Sequence, residues 1–268
     1  MPTLVRNGTS IYYEICGSGP PVILGHSFLC SGEMWAPQVG PLAEHYQVIN
    51  VDIRGHGNSG SIDESFDLYD LVDDFFGVLD QLGIESAIWA GLSIGGMVAL
   101  RAAITEKQRV SGLILLDTHA GTETTFNKIK YQAMVLLAKV AGIRPLLPQI
   151  TRMFFSSYTR ETQPELVKEW KARFLSVPLA SVFRTVAALL ERDSIVEELV
   201  QIQIPALVIV GKEDQPLPPA YSKELSARLP DAKLVVIERS GHLSTLEQPE
   251  AVTSAMLSFL EELQTRPA

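Results

Sequence analysis

The residues best placed to do chemistry in this 268-residue chain begin at Gly91-Leu92-Ser93-Ile94-Gly95. Residues 86–90 are an apolar run that reads as a buried strand and residues 97–104 read as a helix, so Ser93 falls in the turn between them. A turn that tight strains the backbone at the serine and brings neighbouring backbone close, which the flanking glycines permit. It exposes the hydroxyl beside a helix N-terminus, whose N–H groups favour developing negative charge. A serine is a poor nucleophile until a base takes its proton, and an imidazole does this best when a carboxylate fixes its tautomer and stabilises its cation. His242, in Ser240-Gly241-His242-Leu243 between the last strand and the last helix, is the candidate base, because no hydrophobic period calls for it there. Two carboxylates compete for the third role: Asp214, after the strand at 206–210, and Asp117, ending the strand at 112–116. The chain order Ser, acid, His permits both. Asp214 is preferred because its loop leaves the strand immediately before the one that leads to His242, whereas Glu213, one residue earlier, should point elsewhere. The oxyanion of an acyl-transfer step needs two N–H donors. Ile94 supplies one by its position after the nucleophile, and Phe28, in the loop after the strand at 21–25, is the candidate for the other.

These groups require strands that end near one another. Short β-rich runs at 3–6 and 10–15, separated by Asn7-Gly8, predict an opening hairpin. Strands follow at 21–25 and 47–51, with a short helix around 33–42 between them. His26 heads the first of the loops they feed, and Asp52-Ile53-Arg54-Gly55-His56-Gly57-Asn58-Ser59 forms the second. His56 sits among turn formers ahead of the serine, so a structural role is assigned to it, and His26 is read as bracing its turn by hydrogen bonding. Residues 67–82 carry apolar side chains at helical spacing, and the apolar strands alternating with helices predict an α/β fold with a mostly parallel sheet covered on both faces.

From 120 to 200 the alternation stops. Helices are predicted at 126–141, 146–155, 163–176, 180–190 and 194–199, broken by Gly142, Pro145, Pro148, Pro164 and Pro178. Five helical segments without a strand do not make one crossover, so they read as a helical lid (120–200) inserted in a core formed by 1–119 and 201–268. The sheet resumes with strands at 206–210 and 233–238, and helices at 220–228 and 250–263.

The net charge of −9 argues against nucleic acid or an anionic membrane surface as partner. The charge is uneven: residues 121–200 carry 11 Lys and Arg against 8 Asp and Glu, a net +3, and the rest carries 11 against 23, a net −12. No charged segment followed by an apolar one opens the sequence, and no apolar run suits a bilayer, so a cytoplasmic location is expected. The two cysteines, Cys16 and Cys30, fit neither a disulfide scaffold nor a metal site and read as reduced thiols.

With these residues in place, the chain resembles the serine α/β-hydrolases over essentially its whole length. The matching stretches are His26-Ser27-Phe28, Asp52-x-Arg54-Gly55-His56-Gly57-x-Ser59, Gly91-x-Ser93-x-Gly95-Gly96, Gly211-x-x-Asp214 and Gly241-His242-x-x-x-x-Glu247-x-Pro249. Ser27 stands where that family usually has Gly, a departure that bears on the oxyanion loop. The Gly91–Met97 stretch and the helical lid look like the branch that includes 3-oxoadipate enol-lactonases and small carboxylesterases. The resemblance implies an α/β-hydrolase fold and cofactor-free ester or lactone hydrolysis by Ser93, Asp214 and His242 through an acyl-enzyme, with no metal. The same residues would serve a carbon-carbon bond hydrolase or a perhydrolase, and a third reading is a small-molecule receptor on the hydrolase fold. The expected partner is a small ester or lactone, and the chain is expected to be a monomer or homodimer. Phe28, Leu29, Ile94, Leu217 and Leu243 flank the site, and Met134, Leu137, Phe154 and Trp170 are candidates to descend from the lid, each also readable as core. The lid's positive charge suits an anionic substrate, with Arg184 a candidate carboxylate clamp against the plainer reading of a solvated face.

Overall fold

The computed structural model describes residues 2–6, 8–61 and 64–266. Asn7 of the expected opening turn lies outside them, while Gly8 adopts the left-handed φ of +75° that such a turn needs. In chain order the elements are β1 (Thr3–Arg6), β2 (Thr9–Cys16), β3 (Pro21–Gly25), α1 (Ala36–Ala43), β4 (Gln47–Val51), α2 (Leu68–Gln81), β5 (Ala87–Leu92), α3 (Ile94–Thr105), β6 (Val110–Leu116), α4 (Thr125–Ala141), α5 (Leu147–Phe154), α6 (Ser157–Thr162), α7 (Pro164–Ser176), α8 (Leu179–Glu191), β7 (Ala206–Gly211), α9 (Pro219–Arg228), β8 (Ala232–Ile237), α10 (Ser244–Glu247) and α11 (Pro249–Thr265).

Among the described residues eight strands form a sheet in the order β1-β2-β4-β3-β5-β6-β7-β8. β2 is antiparallel to both β1 and β4, and from β4 to β8 every pairing is parallel. β5 and β6 read as continuous apolar runs because both of their faces are covered. Trp89 faces a core that includes Phe75 and Leu79 of α2 and Val98 of α3. Its neighbours Ile88 and Ala90 face the opposite core, with Leu42 of α1 and Met256 and Leu260 of α11. The period-two alternation of a strand thus splits one sequence between two layers.

β5 runs two residues past the apolar stretch and α3 begins at once after Ser93, three residues before the apolar pattern starts. Glycine has poor helix propensity, which hid the first turn, but packing overrides propensity here. A Cβ on Gly95 would stand 2.2 Å from the Gly25 carbonyl oxygen, and one on Gly91 would stand 2.2 Å from the Gly95 carbonyl carbon. Close approach of α3 to β3 therefore demands Gly95, and close approach of α3 to β5 demands Gly91.

The stretch between β6 and β7 is helical, as expected, with two differences. Residues 194–199 are not a helix; a 3-10 turn at Glu198–Gln201 stands nearby, and the Ile195 N–H donates to the Ala120 carbonyl at 3.0 Å. That tertiary bond takes a donor a helix would have left free. Conversely α6 has no apolar stripe to reveal it; it is set by the Ser156 hydroxyl, which caps it by accepting the Thr159 N–H. Among the described residues no single helix is long and apolar enough to cross a membrane.

Candidate active site

Ser93 occupies the joint between β5 and α3 with φ +57° and ψ −115°, a region that costs a non-glycine residue on the order of 1–3 kcal/mol. Three bonds hold it there. Its N–H donates to the Leu116 carbonyl at 2.9 Å, its carbonyl accepts the Met97 N–H at 3.0 Å, and the Thr118 hydroxyl donates to the same carbonyl at 2.7 Å. Thr118 follows β6, so the strained joint is fastened from the neighbouring strand. Ile94 opens α3, and its N–H is one of the four that a helix leaves without an intrahelical acceptor.

His242 is buried in the loop between β8 and α10, and its Nδ1 lies 2.9 Å from Asp214 Oδ2. The other Asp214 oxygen accepts the Leu217 N–H at 2.9 Å, which orients the carboxylate. Burial disfavours a charged His242, but the attraction of Asp214 and its hydrogen bond, with smaller contributions from Asp117 and Glu247, outweigh that and raise the imidazole above its ordinary value. Asp117, the other contender, sits at the end of β6 with φ +46° and has its oxygens engaged elsewhere. One accepts the Gly211 N–H at 2.7 Å and the other accepts the Ser244 hydroxyl. Burial first, and then the charge of Asp214, push Asp117 well above the usual carboxylate range. Asp117 thus ties β7 and α10 to β6 while Asp214 meets the imidazole. Glu213 turns away and accepts the Ser157 N–H and hydroxyl at 2.9 and 2.6 Å.

Glu247 stood in the sequence pattern without a role. Buried in α10, it takes the Gly241 and Leu243 N–H groups on Oε1 at 2.8 and 3.3 Å, and the Ser156 N–H on Oε2 at 2.8 Å. It braces the His242 loop on both sides and fastens it to the helical stretch between β6 and β7.

The loop after β3 turns at Leu29, whose φ is +63°, and the Ser27 N–H is occupied by Met34 Sδ at 3.2 Å. His26 accepts the Ile53 N–H on Nε2 at 2.8 Å, so the ring proton is on Nδ1, which donates to the Ser27 carbonyl at 2.7 Å. Burial lowers its pKa to about 4 and that of His56 to about 3, so both are neutral braces at physiological pH. Arg54 and Asp74 form a buried bidentate pair at 2.7 Å that anchors the following loop to α2.

Ser93 and His242 line one cavity of about 140 Å³ whose wall is apolar almost throughout. Of the side chains expected around it, Phe28, Leu29, Met134, Phe154 and Leu217 line it, and the Phe154 ring lies 5.4 Å from the His242 ring. Ile94, Trp170, Arg184 and Leu243 lie outside its lining. Trp170 packs beside Phe174 with the Arg173 guanidinium over its ring, and Leu243 is fully buried beneath the loop. Val182, Phe183, Val186 and Leu190 present one face of α8 to the cavity, and the 3.6-residue period turns Arg184 to another. Leu137 of α4 is exposed and also lies outside the lining. Arg192, Glu123 and Tyr131, which no periodicity singled out, do line the cavity.

A profile of the alpha/beta hydrolase family matches residues 22–255. The chain is 28% identical to 3-oxoadipate enol-lactonase 1 of Acinetobacter baylyi over 97% of this chain and 96% of that one. Among solved structures, a thermophilic esterase from Thermogutta terrifontis aligns with a TM-score of 0.92 at 30% identity, covering 98% of this chain and 97% of the other. The enol-lactonase from Burkholderia xenovorans aligns with a TM-score of 0.91 at 28% identity, covering 97% and 100%.

Proposed function

The chain belongs to the alpha/beta hydrolase family, and from that premise we propose that it hydrolyses a small carboxylic ester or lactone through an acyl-enzyme on Ser93. The observation that carries this reading is that a serine in strained backbone and an imidazole bonded to a carboxylate through Nδ1 line the same apolar cavity. With Nδ1 committed to Asp214, Nε2 is the nitrogen left to take the Ser93 proton. Ser93 Oγ attacks the ester carbonyl carbon, and the Ile94 and Phe28 N–H groups receive the oxyanion. His242, now an imidazolium stabilised by Asp214, returns its proton to the departing alkoxide. A water deprotonated by the same imidazole then cleaves the acyl-enzyme, releasing the acid and free Ser93. The 140 Å³ cavity compares with the roughly 150 Å³ that holds a benzene ring, so the group it encloses is small. The helical insertion serves as a lid that keeps this space dry.

Turnover of p-nitrophenyl esters of rising chain length and of a lactone panel tests the proposal. Expected is multiple turnover that Ser93→Ala lowers by roughly 10³-fold or more. Undiminished turnover by Ser93→Ala would overturn it, and binding without multiple turnover would favour the receptor reading.

A further inference from the structure

Arg192 and Glu123 interrupt the apolar wall of the cavity where the two ends of the insertion meet the core. Their side chains are 2% and 12% exposed. Arg192 Nε donates to the Gly121 carbonyl at 2.9 Å and Nη1 to the Leu189 carbonyl, while Nη1 and Nη2 reach Glu123 Oε2 at 3.4 and 3.3 Å. A guanidinium has five N–H donors. These contacts use all but one, on Nη2, which has no acceptor among the described residues. The pair is also loose, since a close bidentate ion pair holds N···O distances of ~2.7–2.9 Å. Glu123 Oε1 is taken by Asn127 Nδ2 at 2.8 Å and the Thr124 N–H at 3.2 Å, whereas Oε2 meets only the long contacts from Arg192. The cavity therefore offers a spare donor next to an under-used acceptor, in surroundings with little else polar.

The two charges cancel. A carboxylate entering here meets the repulsion of Glu123 along with the attraction of Arg192, and loses its hydration in the process. A neutral group carrying both a carbonyl and an N–H satisfies donor and acceptor together. Tyr131, whose phenol is pushed up to about 12 by burial and then by Glu123, adds a neutral hydroxyl to the same wall. We propose that Arg192 and Glu123 form a specificity subsite that favours esters or lactones bearing a neutral hydrogen-bonding group, a carboxamide being the fullest match, over those bearing a carboxylate. This inference rests on the hydrolase reading above. It reverses the preference for an anionic substrate that the net +3 of residues 121–200 suggests, because the cation that lines the cavity is already compensated.

The test compares p-nitrophenyl hexanoate with the p-nitrophenyl monoesters of adipamic and adipic acid, which place a methyl, a carboxamide or a carboxylate at the end of matched chains. The unsubstituted protein is expected to prefer the carboxamide to the carboxylate by about tenfold in kcat/KM, chiefly through KM, the scale of one hydrogen bond to a charged group. In Glu123→Gln the uncompensated Arg192 should invert that ratio in favour of the carboxylate. A staple that merely joins the ends of the insertion would lower all three activities together, and a general loss cancels in the ratio. Equal or better use of the carboxylate by the unsubstituted protein overturns the inference, and so does an unchanged ratio in Glu123→Gln. Should that variant fail to fold, the ratio in the unsubstituted protein decides alone. Absence of any ester turnover would strike at the hydrolase reading, whereas turnover blind to the terminal group would strike at this subsite only.

Discussion

The Phe154 carbonyl, at the end of α5 between β6 and β7, accepts the backbone N–H of His242 at 3.0 Å. The imidazole is thus positioned from the helices between β6 and β7 as well as from its own loop, and Glu247 doubles the connection through Ser156, Gly241 and Leu243. Glu247→Gln replaces one carboxylate oxygen by an amide nitrogen that faces an N–H donor. The expected loss is about 1–3 kcal/mol in unfolding free energy, the cost of an unsatisfied buried group, read as a lower urea midpoint. kcat should fall more than KM rises, because the base moves while the cavity wall stays. A midpoint equal to that of the unsubstituted protein would remove Glu247 from this role.

The two aspartates divide labour, and substitution separates them. Asp214→Asn leaves an amide against His242 Nδ1, and kcat/KM for a p-nitrophenyl ester should fall by roughly 10³–10⁴-fold, as when a base loses its orienting carboxylate. Asp117→Asn loses an acceptor for either the Gly211 N–H or the Ser244 hydroxyl. It should lower stability by about 1–3 kcal/mol and leave kcat/KM within about tenfold. The opposite pattern would make Asp117 the acid partner.

The pH profile follows from the sign of the His242 shift. In the proposed mechanism the base works as neutral imidazole, so activity should rise with pH through its apparent pKa. Asp214 and the lesser carboxylates outweigh burial, which puts the acid limb of kcat/KM above the ordinary 6.5. In Asp214→Asn the largest opposing influence is gone and burial gains weight, so the acid limb of the residual activity should move to lower pH. A limb that stays in place would mean that another group controls it.

The strands of a mostly parallel sheet and the candidate residues of the site were legible in the sequence because both rest on local signals: apolar runs between turns, and polar residues where no hydrophobic period calls for them. What escaped depended on tertiary packing. The first turn of α3 was hidden by two glycines, Gly95 set by the backbone of β3 and Gly96 by the Thr118 side chain, and α6 by a polar helix that a single serine caps. Trp170 and Arg184 could not be assigned to the cavity or away from it, since helical phase relative to a distant wall is not written in the helix itself. Glu247 and Arg192 were missed for a related reason: a buried charge looks like a solvated one until its partners are known.

Two glycine-to-alanine substitutions distinguish tertiary demand from intrinsic preference. At Gly95 an added methyl would lie 2.2 Å from the Gly25 carbonyl oxygen, so the atoms that must shift are main chain of β3 and not the far end of a flexible side chain. Forcing such contacts costs about 1–3 kcal/mol where side chains can shift, and more is expected here because the obstacle is main chain. The displaced helix carries the Ile94 N–H with it, so ester turnover should fall together with the urea midpoint. Gly40, inside α1, has no atom within 4 Å of where its Cβ would stand. Gly40→Ala should gain up to ~1 kcal/mol from helix propensity alone, with kcat/KM unchanged. Were both substitutions neutral, α3 would not be held against β3 as closely as the 2.2 Å approach requires.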